Sequence, residues 1–307
     1  MHPSLERLRP LVPHLICPAC GNGVTECEDE FSCSNCSARY PIVNGCPVLM
    51  TPESEDGFVR DWNSEAGRQM LAEYAARAET VEPGTLSKMV SWLRPPEVMY
   101  RYNPDLRGPP TDVIFARESS QLMLNVGGGP HRESDFEFTL NLRPFHNVDI
   151  AANAERIPLA DNSFDVVYSL AVLEHVSNPE TVVAEMFRVL KPGGRLYAEI
   201  PFIFFFHGYP ADYTRYTLQG MEKLFAEFEE KQFGMSYGPV SATLQCGNML
   251  IPLLVPERYR ILRKLASGLY RWLLFPLKYL DKRLRHHPDA HTVAGGFYVM
   301  AQKPDVS

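Results

Sequence analysis

The sequence predicts a doubly wound α/β domain with a mostly parallel sheet, preceded by a small ribbon, and three observations carry that expectation. Two CxxC pairs, Cys17-Pro-Ala-Cys20 and Cys33-Ser-Asn-Cys36, stand twelve residues apart near the N-terminus. A glycine cluster, Gly127-Gly128-Gly129, follows at once on the apolar run from Gln121 to Val126. Further on, an apolar run from Phe164 to Leu170, an amphipathic stretch and a second run from Arg195 to Ile200 form a strand-helix-strand unit.

At 307 residues, 45% hydrophobic and 22% charged, the chain has the balance of one average globular domain with appendages. The division expected is a ribbon over 14–50, a helical linker region over 51–119 and the α/β domain over 120–304, with a basic, apolar helical insert over 245–290. A net charge of -7 withholds the basic field that supplies sequence-independent affinity for nucleic acid, which is therefore not expected as a main partner. The first twenty residues carry Glu6, Arg7 and Arg9 and are broken by Pro10 and Pro13, unlike a secretory signal, so a cytoplasmic location is expected. No uncharged apolar run reaches the ~18 residues of a membrane span. Seven cysteines, an odd number, point to metal or burial rather than a disulfide framework.

In the ribbon, each CxxC turns two thiolates toward one point, and Cys17, Cys20, Cys33 and Cys36 complete an S4 set that suits structural Zn²⁺. So short a segment has almost no core, so the metal would supply much of its folding free energy. Cys27, Cys46 and Cys246 have no partner pattern and read as small apolar fillers. In the linker region two helices are expected, around Asn63 to Ala78 and Leu86 to Leu93, and no chemistry is assigned to it.

In the α/β domain Asn178 is placed to cap a helix with Pro179 at its first position. Val182, Val183, Met186, Val189 and Leu190 share its buried face, and Pro192-Gly193-Gly194 stops it. Met221, Leu224, Phe225 and Phe228 mark one more helix, a sixth strand is expected near Gln245, and Gly296 to Ala301 is the last strand. The glycine cluster leaves two readings open, a ligand-cradling loop and a plain strand-to-helix turn. It lacks the GxGxxG and P-loop spacings, which disfavours a pyrophosphate cofactor or a nucleoside triphosphate.

Asn125-Val-Gly-Gly-Gly129, Asp149 to Asp165 (DIAANAERIPLADNSFD), Leu173-Glu-His-Val176 and Arg188-Val-Leu-Lys-Pro-Gly-Gly194 together resemble class I S-adenosylmethionine-dependent methyltransferases of the ubiquinone-biosynthesis-like group, over about 180 residues. The resemblance implies a seven-stranded sheet and S-adenosylmethionine as cofactor. It places Asn125 and Gly127, Gly128 and Gly129 at the amino-acid part, Asn141 at the ribose, Asn153 and Ala154 at the adenine, and Leu170 nearby. Asn125, Asn141 and Asn153 stand where the group has acids, and His131 where it has a glycine. An amide lacks the charge-assisted bond a carboxylate makes, a difference of roughly 1 kcal/mol or more. Leu15 to Met50 resembles the small zinc-ribbon activators of tRNA and protein methyltransferases, which implies a possible protein-binding role for the ribbon; Cys46 replaces an aliphatic residue there.

Methyl transfer is an in-line displacement, so the protein mainly positions the acceptor and needs a base only where the acceptor carries a proton. The loop Pro201 to Thr217 follows a strand's carboxyl end, where such sheets place substrates. In it His207 is the candidate base, Asp212 its orienting partner, and Tyr213 a third candidate; a merely packed loop is the other reading. For Glu174-His175 a structural or substrate-contact role is favoured over metal, because Ala171 stands where a related metal motif has its first Glu.

The insert holds nine Lys or Arg against Glu257, Asp281 and Asp289, interleaved with Leu262, Leu265, Leu269, Trp272 and Leu273. That pattern suits an anionic membrane surface over 250–285, on the inner face of the membrane, or else a helical cap over the site with a solvated basic face. The function expected is methyl transfer to a small-molecule, glycan or lipid-linked acceptor, at oxygen. The alternative is an inactive scaffold of the same shape that binds protein or membrane through the ribbon and insert.

Overall fold

The computed structural model describes residues 3–28, 30–43, 45–50, 95–100, 121–128, 137–144, 147–208 and 211–305. The two helices expected in the linker region lie outside these residues, as do Gly129 and His131.

The N-terminal unit is a four-stranded antiparallel meander: β1 (Thr25–Cys27), β2 (Glu30–Ser32), β3 (Arg39–Val43) and β4 (Cys46–Pro47). It packs directly on the larger sheet. Leu15 bridges Leu159, Val48 pairs in parallel with Ala151, and Leu49 N–H donates to Ala151 O at 2.8 Å. The packed unit begins before residue 14. Leu5, Leu8 and Leu11 are fully buried in the core shared with the larger sheet. Arg7 donates to Asp149 at 3.1 Å and to the Glu137 carbonyl, and lies over the Phe138 ring.

The larger sheet has seven strands: β5 (Met123–Val126), β6 (Glu137–Asn141), β7 (Ile150–Ala151), β8 (Phe164–Leu170), β9 (Leu190–Pro201), β10 (Glu229–Tyr237) and β11 (Gly296–Gln302). Their order is β10-β11-β9-β8-β5-β6-β7, and only β11 pairs antiparallel with its neighbours. Helix α1 (Pro179–Val189) connects β8 to β9, with Val182, Val183, Met186 and Val189 buried as the 3.6-residue spacing requires. Asn178 occupies its N-cap, but its side chain reaches Glu155 and Ser177 instead of closing the helix. The helix ends at Val189, before the Pro-Gly-Gly, and Leu190 through Gly194 already belong to β9.

Two corrections concern the C-terminal part. Helix α2 (Leu218–Leu224) is short, with Phe225 and Phe228 buried just beyond it. The sixth strand is β10, and Gln245 lies inside helix α3 (Pro239–Leu254). The helical insert thus starts at Pro239 and continues through α4 (Arg260–Leu274) and α5 (Asp281–Leu284). The fully buried Asp281 carboxylate accepts the Val240 and Ser241 N–H groups at 3.0 and 2.9 Å, satisfying the open donors of the α3 N-terminus from forty residues away. Among the described residues no helix is long and apolar enough to cross a membrane.

Candidate active site and metal centre

Where the strand order reverses at β5 and β8, a cleft of about 230 Å³ opens at the strands' carboxyl ends. Gly127, Asn141, Asn153, Ala154, Ala171 and His175 are on its wall. Gly127 has φ +79°, and a Cβ there would stand 2.4 Å from Val172 Cγ2, so the turn out of β5 closes only around a glycine. Across from it Ala171 holds φ +53°, a left-handed conformation that costs a non-glycine roughly 1–2 kcal/mol, with its N–H bound to Glu199 O at 3.0 Å.

The three asparagines at acid positions each have a defined place. Asn125 is buried behind the glycine turn and donates to the Glu137 carboxylate on β6 at 2.8 Å. The acid is therefore present, on the neighbouring strand, and reading the sequence alone missed it. Asn141 ends β6 and donates to Gly128 O at 2.7 Å while accepting from Arg143 N–H at 3.1 Å, so its amide ties down the turn. Asn153 accepts the Glu155 N–H at 2.9 Å, capping the one-turn helix that carries Ala154 into the cleft. Gly128 lies against Asn125 and Thr139, where a Cβ would come within 2.6 Å of either side chain. Leu170 is a correction: it packs on the opposite sheet face against the cluster of Tyr168 and Tyr197, and Ala171 and Val172 take the place expected for it.

Beside the cleft the loop after β9 brings His207 to Glu174 and His175. His207 Nε2 lies 3.5 Å from Glu174 Oε1, and the two imidazole rings meet edge-on at 4.9 Å. Burial pushes the Glu174 carboxyl up to about 7, with its own backbone N–H and Arg215 opposing the rise. Asp212 does not orient the imidazole as expected. Its carboxylate accepts the His207 backbone N–H at 2.8 Å and pairs with Arg215, which holds it down at about 2, whereas its distance to Nδ1 is 3.6 Å. The ring is oriented by Phe205 O, 3.1 Å from Nδ1. Tyr213 is 55% exposed and contributes only its backbone N–H, to Glu174 O at 2.7 Å.

In the ribbon the four sulfurs of Cys17, Cys20, Cys33 and Cys36 lie within 4.8 Å of one another, with Cys17–Cys36 and Cys20–Cys33 at 3.5 Å. A tetrahedron with Zn–S bonds of about 2.3 Å has edges of about 3.8 Å, so the donor set fits zinc. Tyr40 Oη lies 3.0 Å from Cys17 Sγ, and Asn22 backbone and side-chain donors hold the Cys20 thiol down at about 6. These are the outer contacts a bound thiolate needs. Of the other cysteines, Cys46 is buried as its filler role requires, Cys246 is half-buried, and Cys27 is exposed with its sulfur 3.2 Å from Ser32 Oγ.

Residues 135–198 match the family model described as a methyltransferase domain. The chain is 41% identical over 92 residues to the ubiquinone/menaquinone biosynthesis C-methyltransferase UbiE of Pasteurella multocida, covering 30% of this chain and 31% of the relative. It is 35% identical over 91 residues to the mitochondrial 2-methoxy-6-polyprenyl-1,4-benzoquinol methylase of Caenorhabditis elegans, covering 30% of each. With the demethylmenaquinone methyltransferase of Anoxybacillus flavithermus it shares 31% identity over 125 residues, 40% of this chain and 49% of that one. The chain thus spans less than half the length of these curated relatives. Among solved structures it is similar to phosphoethanolamine N-methyltransferase 2 of Haemonchus contortus, at 16% identity and a TM-score of 0.38, over 61% of this chain and 49% of that one. The matched segment runs from β6 through α1 into β9, around the cleft, and makes this part of the chain similar to S-adenosylmethionine-dependent methyltransferases.

Proposed function

We propose that the protein transfers the methyl group of S-adenosylmethionine to a lipophilic ring acceptor at the membrane surface, and that its ribbon holds a structural zinc ion. The observation that carries the transfer is the cleft at the β5/β8 switch point, formed by the Gly127 turn and the Asn153-Ala154 loop. Asn153, Ala154 and Ala171 leave room there for a flat adenine, and the Asn125–Glu137 pair braces the turn that meets the amino-acid part. The cofactor supplies the electrophilic methyl group; the chain's residues hold the acceptor in line with it and exclude water.

The names of the relatives, a C-methyltransferase and a benzoquinol methylase, favour a ring carbon over the oxygen expected from the sequence. Helix α4 supports a lipophilic acceptor. Its inward stripe is polar, with Ser267 on Asn248 at 2.8 Å, Tyr270 on Leu244 O at 3.0 Å and Arg271 on Pro96 O at 2.9 Å. Its outward stripe is apolar, Ile261, Leu265, Leu269 and Trp272, the reverse of a helix that faces water, and Lys264 and Arg260 flank it. An anionic lipid surface matches both the charge and the apolar stripe.

Calorimetric titration of the zinc-replete protein with S-adenosylmethionine and S-adenosylhomocysteine tests the reading. Micromolar binding followed by methylation of a hydroquinone analogue in vesicles is the expected outcome. Absence of binding up to millimolar ligand would replace the enzyme by an inactive scaffold.

A further inference from the structure

Three metal-ligating side chains meet beside the cleft. Glu174 and His175 come from the turn after β8 and His207 from the loop after β9, and their ligand atoms lie within 4.8 Å of one another. Glu174 Oε1 is 3.7 Å from His175 Nε2 and 3.5 Å from His207 Nε2. The Glu174 side chain is fully buried, and neither of its carboxylate oxygens has a hydrogen-bond partner.

Both imidazoles are fixed through the nitrogen on the far side. His175 Nδ1 contacts Ala211 O, and His207 Nδ1 lies 3.1 Å from Phe205 O. A carbonyl oxygen only accepts, so Nδ1 carries the proton in both neutral rings and each Nε2 keeps a lone pair on the Glu174 side. Metal-ligating histidines are set in this way, by a hydrogen bond through the other ring nitrogen. Two lone pairs and a buried carboxylate closing on one point are unfavourable unless a cation or a proton lies among them. A proton shared between ring and carboxylate is the lesser fit, since the Nε2 to oxygen distances of 3.5 and 3.7 Å exceed those of a hydrogen bond. Ligands about 2.1 Å from a tetrahedral ion stand about 3.4 Å apart, close to both values.

We propose that Glu174, His175 and His207 form a second metal site, for Zn²⁺ or a neighbouring divalent transition ion, with its remaining coordination positions open to an oxygen ligand. A lone histidine beside one carboxylate would not suffice; the third donor arrives from 32 residues further along the chain. The use of the site rests on the methyltransferase reading, because His175 also lines the cofactor cleft. An acceptor with a hydroxyl beside the methylated carbon would place that oxygen on the ion, and His207 would be a ligand in place of a base. Of the charged groups that face the trio, Arg215 is paired with Asp212, whose carboxylate also holds the His207 backbone N–H.

The test is to equilibrate the full chain in buffered micromolar Zn²⁺, remove free metal by gel filtration and count bound zinc. Two ions per chain are expected in the wild type and one each in Glu174→Gln and His207→Ala, the remaining ion reporting that the ribbon is still folded. His207 is on a partly exposed loop, so its variant decides the matter if Glu174→Gln fails to fold. One ion per chain in the wild type, or two that survive both substitutions, would overturn the site. S-adenosylhomocysteine binding is measured separately on the wild type. Two zinc ions with no binding would sink the methyltransferase reading and leave the metal site standing.

Discussion

Replacing Asn125 by Asp restores the acid found at this position in related methyltransferases, and the structure predicts harm from it. The Asn125 amide sits 2.8 Å from the fully buried Glu137 carboxylate. The substitution exchanges a donor for a second carboxylate. Coulomb's law at an effective dielectric near 20 gives about 6 kcal/mol between two charges at that spacing. Loss of a hydrogen bond to a charged group adds about 1.5–3 kcal/mol, and uptake of a proton by one of the two acids limits the sum. A net destabilisation of about 3–5 kcal/mol is expected, the range seen when a buried charge loses its partner, with no gain in S-adenosylhomocysteine affinity. Urea unfolding of zinc-replete protein reads it as a lower midpoint at unchanged slope. The double variant Asn125→Asp/Glu137→Gln, which moves the amide to the other strand, should recover most of the loss. A single variant as stable as the wild type, or one that binds cofactor more tightly, would refute the reasoning.

Gly127→Ala drives a Cβ into Val172 at positive φ and should weaken S-adenosylhomocysteine binding at least tenfold, measured by calorimetry. Arg7→Ala removes the bonds to Asp149 and the Glu137 carbonyl; a cost of about 1–3 kcal/mol is expected, seen as a lower urea midpoint. Chelation of zinc, or Cys17→Ser, should expose the ribbon to limited proteolysis ahead of the rest of the chain. Leu265→Asp/Leu269→Asp should abolish co-flotation with anionic vesicles while leaving cofactor binding intact; equal flotation would remove the membrane surface from the proposal.

What the sequence made legible was local. Pro179 and the Pro192-Gly193-Gly194 run bracket α1, and the CxxC spacing assembles its sulfurs within a few turns, so neighbours in sequence decide both. The glycine cluster marks the cleft because a tight turn after a buried strand needs Gly127. What stayed hidden depends on register and long loops. Asn125 pairs across from Thr139, and only that register brings Glu137 to its amide. His207 reaches Glu174 only because β9 runs parallel to β8 and returns its loop to the same end. The resemblance implies Leu170 near the cofactor, but side chains alternate across a sheet and the next residue is the one on the cleft wall. Gln245 lies in helix α3 where a strand is expected nearby; the mixed stretch from Leu244 to Leu254 has no clear period to tell the two apart.

The pairing of Val48 with Ala151 has a further consequence. An open sheet ends in two strands whose outer backbone groups invite another chain, and this sheet guards its two ends differently. At β10 the guard is covalent sequence: Glu229, Glu230 and Lys231 are exposed, and the register shifts between Glu229 and Gln232. At β7 the guard is the ribbon itself, whose four clustered sulfurs are where the proposed zinc ion would hold its fold together. Starvation for zinc would therefore uncover a strand edge as well as loosen a small module, and the first symptom expected is self-association of otherwise folded chains, growing with protein concentration.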